Sequence, residues 1–276
     1  MILSFGISSA VYFQEPIEKL LPYLKKGGID NLEIKPKGGH FCPQDIKDLQ
    51  RLKKKFVRAG ITVEAIHMPL NGVDISHPQQ YERVKSVREV EKVILMAYHL
   101  GVGLVVVHPG GKVFDFSDRE NRLKLSMESL KEIGEFAQNW DIKIALENTL
   151  PDRIGDKWEE IGTIIETLSH PGLGICFDSG HHLLNYSETA QGRLNLEKVP
   201  INWQRYLWHI HVHDNDGKHD FHWLPGDGKF PWVSFISFLK EIDYRKTLIF
   251  ELKKQNELPY YLNKVVSAWQ KLNSYL

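Results

Sequence analysis

The sequence predicts a (β/α)8 barrel that forms a single domain over residues 1–276. Short apolar runs alternate along the whole chain with longer amphipathic segments. Eight such units fit the length of the chain, at about 34 residues each. No linker rich in Gly, Ser or Pro and no block of like charge divides the chain. Alternation alone also permits a doubly wound sheet, but eight strands followed by a final helix favour the closed barrel.

The strand candidates are runs of five to seven residues that are rich in Val, Ile, Leu and Phe. The runs are either fully apolar or alternate apolar with polar residues, as is typical of parallel strands covered by helices. In chain order they are Ile2–Ser8, Asn31–Lys35, Thr62–His67, Leu104–His108, Lys143–Glu147, Gly172–Asp178, Leu207–His213 and Thr247–Glu251. Because longer segments separate them, we expect the strands to run parallel.

The helix candidates are amphipathic segments of eleven or more residues that lie between the strands. Their apolar residues recur at the spacing of one helical face. The segments are Pro16–Lys26, Pro43–Ala59, Gln79–Leu100, Arg119–Asn139, Lys157–Leu168, Trp232–Ile242 and Leu258–Tyr275. Segment 182–206 has the least regular pattern of the chain, so its helix prediction is the weakest.

Composition indicates a soluble, globular, cytoplasmic protein. The chain is 42% hydrophobic and 25% charged, which allows a sizeable core and excludes a disordered chain. The 35 basic and 35 acidic residues balance, which argues against nucleic-acid binding by bulk charge and leaves a local basic patch open. The two cysteines cannot form a disulfide framework. We expect neither a signal peptide nor a membrane span, and the sequence is compatible with a homo-oligomer.

Six successive strand candidates end in a side chain that can bind a metal ion. In such barrels the active site lies at the carboxyl ends of the strands, where side chains distant in sequence converge. Imidazole and carboxylate together suit zinc or manganese, and this many donors can hold one to three ions. The strand-end residues are His67, His108, Glu147, Asp178, His211 and Glu251, and His181 follows Asp178 by three positions.

Each of these residues also has a purely structural interpretation. A carboxylate at a strand end can pair with a lysine at the rim, and a histidine there can be hydrogen-bonded without binding metal. That interpretation is weakest for the carboxylates and His211. It is stronger for His67, His108 and His181, which can also orient substrate. For His182, His209 and His213 we favour a role other than metal binding, either supporting the ligands from behind or purely structural.

A polar loop follows the seventh strand candidate. Asp220 and His222 are two residues apart, so in an extended segment they face the same side and can bind one ion. The glycines at 226 and 228 suit a turn before the next helix better than a phosphate-binding loop. Phe221, Trp223 and Trp232 offer apolar faces to a sugar ring, although packing is the more common role of such aromatics.

Together these residues resemble the xylose isomerase-like barrel superfamily, which contains sugar epimerases, inosose-processing enzymes and the endonuclease IV group. The resemblance covers the whole chain. It implies that Glu147, Asp178, His211 and Glu251 form the metal quartet of the superfamily. Endonuclease IV proteins have five further ligands for a three-metal site. The residues that match them are His67, His108, His181, Asp220 and His222.

The match to the DNA-repair branch is incomplete. The first strand ends Phe-Gly-Ile-Ser-Ser-Ala and lacks the His-x-Ser turn of that group, and the loop Ile-Lys-Pro-Lys-Gly-Gly departs from its DNA-recognition loop. The segment Pro-Gly-Asp-Gly-Lys-Phe-Pro-Trp is similar to the corresponding loop of sugar epimerases and isomerases. Fold kinship alone does not decide the chemistry.

The leading hypothesis is therefore a metal-dependent isomerase or epimerase of a sugar, sugar phosphate or polyol ketone. In it Glu147 and Glu251 transfer the proton, and His108, His181 and Trp223 bind the carbohydrate substrate. The alternative is a phosphodiesterase of the endonuclease IV type, which would use two or three zinc ions to cleave abasic DNA. A third hypothesis is a non-catalytic barrel with a closed metal site.

Overall fold

The computed structural model describes residues 3–186, 194, 196, 199, 201–253 and 257–275. Eight parallel strands close into one barrel in sequence order, and the first strand pairs with the last. The strands are β1 (Ser4–Ser8), β2 (Asn31–Ile34), β3 (Thr62–His67), β4 (Leu104–Val107), β5 (Lys143–Glu147), β6 (Leu173–Asp178), β7 (Leu207–Val212) and β8 (Thr247–Phe250). The predicted (β/α)8 barrel is confirmed.

Helices connect the strands and cover the outside of the barrel. They are α1 (Leu21–Gly27), α2 (Ile46–Ala59), α3 (Gln80–Leu100), α4 (Arg119–Gln138), α5 (Trp158–Leu168), α6 (Ser179–Tyr186), α7 (Trp203–Tyr206), α8 (Trp232–Glu241) and α9 (Leu258–Asn273). Local signals set several of the ends. Asp45 caps α2 by accepting a hydrogen bond from the backbone of Asp48, and Gly60 ends that helix in the left-handed conformation.

The structure moves several predicted boundaries. Lys35, His108, His213 and Glu251 lie directly after their strands rather than inside them, because the parallel ladder ends one residue earlier. Short 3-10 turns at Ser9–Tyr12 and Ile17–Lys19 precede α1. In the weak segment 182–206, α6 continues from β6 and α7 lies just before β7. The predicted residue Ile2 and residues 187–193 lie outside the described part of the chain.

Alternation along the strands positions the site. Ala65, Val106, Ala145 and Cys176 form a small buried cluster of their own, apart from the large core that packs the barrel against its helices. Residues two apart in a strand share a face. The residue two positions after each member of this small cluster therefore points to the same side, nearer the carboxyl end of its strand. Those side chains are His67, His108, Glu147 and Asp178.

Most of the buried surface is apolar and belongs to that large core. Its members come from the outward faces of the strands and the inward faces of the helices, with Trp158, Phe177 and Phe235 among the largest fully buried side chains. Among the described helices, none has a stretch that is both long and apolar enough to span a bilayer. The barrel is thus a rigid frame for the polar residues at its mouth.

Candidate metal centre and active site

Four acidic and histidine side chains meet at the carboxyl ends of β5 to β8, and we call this set the strand cluster. Its members are Glu147, Asp178, His211 and Glu251. One ligand atom from each lies within 4.8 Å of the others, and all four residues are buried. His211 Nδ1 lies 2.9 Å from Glu251 Oε2, 3.2 Å from Glu147 Oε1 and 3.7 Å from Asp178 Oδ2. The residues that the sequence predicted as a metal quartet are therefore together.

Two further predicted ligands lie on the far side of Glu147. His67 Nε2 is 2.9 Å and His108 Nε2 is 3.1 Å from Glu147 Oε2. His67 is fully buried, whereas the side chain of His108 is 20% exposed and borders the cavity described below. The two oxygens of Glu147 thus face different groups of donors, and either group would be able to contribute ligands for a metal ion.

Glu33 was not predicted as a site residue, yet it supports the strand cluster from below. It is fully buried on β2, and its Oε2 lies 2.7 Å from both His209 Nε2 and His211 Nε2. A carboxylate at Nε2 of His211 orients the ring and leaves Nδ1 for the centre of the cluster. His209, which was expected to support the ligands or to be structural, contacts the same carboxylate and lies deeper in the barrel.

Lys35 is the second residue that sequence reasoning missed. It lies just after β2, is 1% exposed, and donates a hydrogen bond from Nζ to Glu251 Oε1. A buried ammonium group next to a carboxylate keeps that carboxylate ionised. The other oxygen of Glu251 remains directed at His211.

The pKa values of the two glutamates follow from these contacts. Burial opposes ionisation of Glu147, but the charges of His211 and His108 outweigh it and hold the pKa well below its usual range. Burial likewise opposes ionisation of Glu251, and Lys35 and His211 hold its pKa well below the usual range. Both side chains are therefore carboxylates at neutral pH, the form that binds a cation or accepts a proton.

A second group, which we call the rim cluster, lies beside the strand cluster and consists of His181, His213, Asp220 and His222. His222 Nε2 lies 3.0 Å from Asp220 Oδ2, and the rings of His213 and His222 stack with centroids 3.8 Å apart. His213 Nε2 also lies 2.9 Å from Asp178 Oδ1, which joins the two clusters. His213 was expected to support the ligands or to be structural, and the structure places it among three predicted ligands.

The remaining candidates lie away from both clusters. His182 faces the apolar core, where Trp158 Nε1 donates to its Nδ1 at 3.0 Å, in keeping with the expected structural role. Trp232 is buried and donates to Asp214. Trp223 stacks on Phe221 at the surface with 4.6 Å between ring centroids, and it does not line the cavity over the metal ligands. Its predicted contact with substrate stays a prediction.

A cavity of about 200 Å³ opens above the clusters. Ligand-type residues from both clusters face it, so a small molecule inside can reach both. Its charged and histidine lining consists of Lys35, His108, Glu147, Arg153, His181, Asp220, His222 and Glu251, with Leu70, Thr149 and Leu150 supplying the rest.

The donor set suits a divalent metal ion. Carboxylate oxygens and imidazole nitrogens are the ligands of zinc and manganese sites. Within the described chain, Asp220 Oδ1 and His213 Nδ1 are buried without a hydrogen-bond partner, which is costly unless a ligand satisfies them. The strand cluster would hold one ion, and the rim cluster has the donors for another.

Comparisons with known proteins agree with the fold. A family model described as xylose isomerase-like TIM barrel matches residues 21–271. The crystal structure of a D-tagatose 3-epimerase-like protein is 27% identical, with a TM-score of 0.81 and 99% of both chains covered. D-psicose 3-epimerase of Ruminiclostridium cellulolyticum is 23% identical over 255 residues, 87% of this chain and 77% of that protein.

Similarity also extends to proteins named as endonuclease 4. A probable endonuclease 4 of Mesomycoplasma hyopneumoniae is 28% identical over 192 residues, which are 65% of this chain and 63% of that protein. The family model spans nearly the whole barrel, whereas this second similarity covers about two thirds of it. The protein belongs to the xylose isomerase-like TIM barrel family.

Proposed function

We propose that the protein is a divalent-metal-dependent isomerase or epimerase of a sugar, sugar phosphate or polyol ketone. The observation that carries the proposal is the strand cluster, with two ionised glutamates that both line a small cavity. Epimerases among the similar proteins support the same reaction class. A bound zinc or manganese ion would polarise the substrate carbonyl.

The chain's own residues would move the proton. One of Glu147 and Glu251 takes the proton from the carbon next to the carbonyl, and the other returns a proton to the same carbon from the opposite face or to the neighbouring carbon. Both side chains are carboxylates in the free protein, so the one that returns a proton would first take one up from water that enters the cavity. His108 and His181 border the cavity and are positioned to bind substrate hydroxyl groups.

The alternative function is a zinc phosphodiesterase of the endonuclease IV type. The rim cluster favours it, because His181, Asp220 and His222 lie together as that site requires. A net charge of zero and a cavity of about 200 Å³ favour a small substrate over a DNA duplex.

Solvent exchange tests the isomerase proposal without a named substrate. Metal-loaded protein is incubated in D2O with a panel of ketoses, aldoses, their phosphates and polyol ketones, and NMR detects deuterium next to the carbonyl. We expect exchange with at least one compound and its loss in Glu147→Gln, assayed at a metal concentration high enough to keep the site loaded, with the fold retained. Glu166→Gln, an exposed change on α5, is the matched control.

Two results would reject the proposal. One is full exchange by metal-replete Glu147→Gln, which would remove the assigned base. The other is cleavage of an abasic-site duplex by the wild type with no exchange on any carbohydrate, which would establish the phosphodiesterase. Inactivity in both assays would favour a non-catalytic barrel.

A further inference from the structure

The cavity has a cation that no acidic side chain neutralises within the described residues. Arg153 lies in the loop after β5, lines the cavity and is half-buried. Its guanidinium group forms no ion pair or hydrogen bond with the part of the chain that the structure covers. Lys35, the other cation of the lining, is paired with Glu251. Arg153 is thus the cation of this cavity that is left for a ligand.

The backbone of Arg153 is held firmly. The carbonyl oxygen of Arg153 accepts a hydrogen bond from Arg119 Nη2 at 3.0 Å. The backbone of Arg153 also forms an isolated antiparallel bridge with Lys112. The guanidinium of Arg119 forms ion pairs with Asp156 and Glu160. Arg119 therefore pairs with these two carboxylates, and Arg153 has no acidic partner among the residues that the structure describes.

Each acidic side chain of the cavity already contacts a histidine or a lysine. Glu147 contacts four histidines, Glu251 contacts Lys35, and one oxygen of Asp220 contacts His222. A metal ion in the strand cluster would neutralise these carboxylates further. An arriving anion would then meet the planar fork of Arg153, which matches a phosphate or a carboxylate with two parallel hydrogen bonds.

We propose that the substrate carries an anionic group, a phosphate ester or a carboxylate, which Arg153 binds while the hydroxyl and carbonyl oxygens face the strand cluster. This assignment rests on the proposed function for the identity of the reacting end. It narrows the substrate from carbohydrates in general to phosphorylated or acidic ones. One cavity of about 200 Å³ holds both ends, so the two groups belong to one small molecule.

Calorimetric binding to the metal-loaded protein tests the assignment. The probes are D-fructose, D-fructose 6-phosphate and D-glucuronate, which separate the neutral, phosphate and carboxylate cases. We expect one anionic probe to bind about 10- to 100-fold more tightly than D-fructose. Arg153→Gln should abolish that preference and leave the affinity for D-fructose unchanged, whereas Arg153→Lys should restore part of it.

The matched control is Arg58→Gln, which removes an exposed arginine from α2 and should keep the preference. Equal affinity for all three probes in the wild type would overturn the assignment. So would an anion preference that survives in Arg153→Gln, because the metal centre would then be binding the anion. If the preference depends on Arg153 but no compound exchanges deuterium, the anion site stands and the isomerase proposal fails.

Discussion

The strand cluster and the rim cluster lie side by side, yet the fold holds them in different ways. The members of the strand cluster are all buried and lie at the carboxyl ends of four adjacent strands, with Glu147 paired in register to Cys176 and Asp178 to His211. In the rim cluster, Asp220 and His222 are only partly buried and lie in the irregular stretch between β7 and α8. One cluster is fixed by a ladder of backbone hydrogen bonds, and the other depends on loop contacts.

Placing His222 in the rim cluster requires an unfavourable backbone conformation in the loop between β7 and α8. His222 has a φ of 50°, a left-handed conformation that costs a non-glycine residue about 1 kcal/mol or more. Asp214 holds the loop by accepting hydrogen bonds from the backbone of Gly226 and Phe230 and from Trp232 Nε1. We infer that the strand cluster is preorganised and binds a cation more tightly than the rim cluster does.

Removing one carboxylate from the strand cluster should have the largest effect. Asp178→Asn keeps the side-chain shape and an acceptor for the backbone of His181, but it removes the charge that a cation needs. We expect loss of the tightly bound ion and a fall in turnover of about 1,000-fold or more. Chelator competition and deuterium exchange measure the two effects.

The matched control for that change is Asp30→Asn, an exposed residue just before β2, which should behave as wild type. If Asp178→Asn retains its metal and activity, the centre of the site lies elsewhere in the barrel.

Glu33→Gln tests whether the support below the strand cluster matters. Two histidine nitrogens share one carboxylate oxygen, and an amide cannot match that negative charge. We expect the dissociation constant of the tightly bound metal to rise about 10- to 100-fold, with the fold intact. The control is Glu64→Gln. Glu64 lies in the first half of β3 and contacts Thr247, and its substitution should leave metal affinity unchanged. Equal affinity in both variants would assign Glu33 to packing alone.

The strand cluster and the two residues that support it differ in how well they could be predicted from the sequence. Glu147, Asp178, His211 and Glu251 were predictable because each ends an apolar run and parallel strands bring such ends together. Glu33 and Lys35 carried a signal as well, namely two charged residues two positions apart in a predicted strand. Their meaning depends on partners that lie 178 and 216 positions away in the sequence.

Irregular segments were harder to interpret. Arg153 and Trp223 lie in loops whose paths no periodicity describes. Neither the exposure of Trp223 nor the lack of an acidic partner for Arg153 among the described residues could therefore be predicted. His213 was ambiguous for a different reason. Alternation on β7 places it on one face with His209 and His211, but only the stacking on His222 brings it into the rim cluster.

Asp220→Asn tests whether the rim cluster binds a cation of its own. The change removes the carboxylate paired with His222 and keeps its size. We expect the wild type to hold one more cation per chain than the variant, with the affinity of the strand cluster unchanged. Elemental mass spectrometry after graded chelation gives the count. Loss of both ions in the variant would mean that the clusters act as one unit, and a single ion in the wild type would leave the rim cluster without a metal.

The smallest effect concerns the helix that carries His181 to the rim cluster. Its next residue, His182, is buried in the core, and burial lowers the pKa of His182 to about 3. An unfolded histidine has a pKa of about 6.5, so between these values the unfolded chain binds more protons. This one residue therefore makes the metal-free protein less stable as the pH falls, by up to about 1.4 kcal/mol per pH unit.

His182→Gln should flatten that dependence when urea unfolding of the metal-free protein is followed from pH 7.5 to pH 4. His99→Gln, on α3, should keep the wild-type slope. At pH 7.5, His182→Gln loses the bond from Trp158 and loosens α6, so the rim cation should bind more weakly while the cation of the strand cluster does not change. An equal loss of cation affinity at both clusters would contradict the distinction between them, because it would show that the strand cluster also depends on α6.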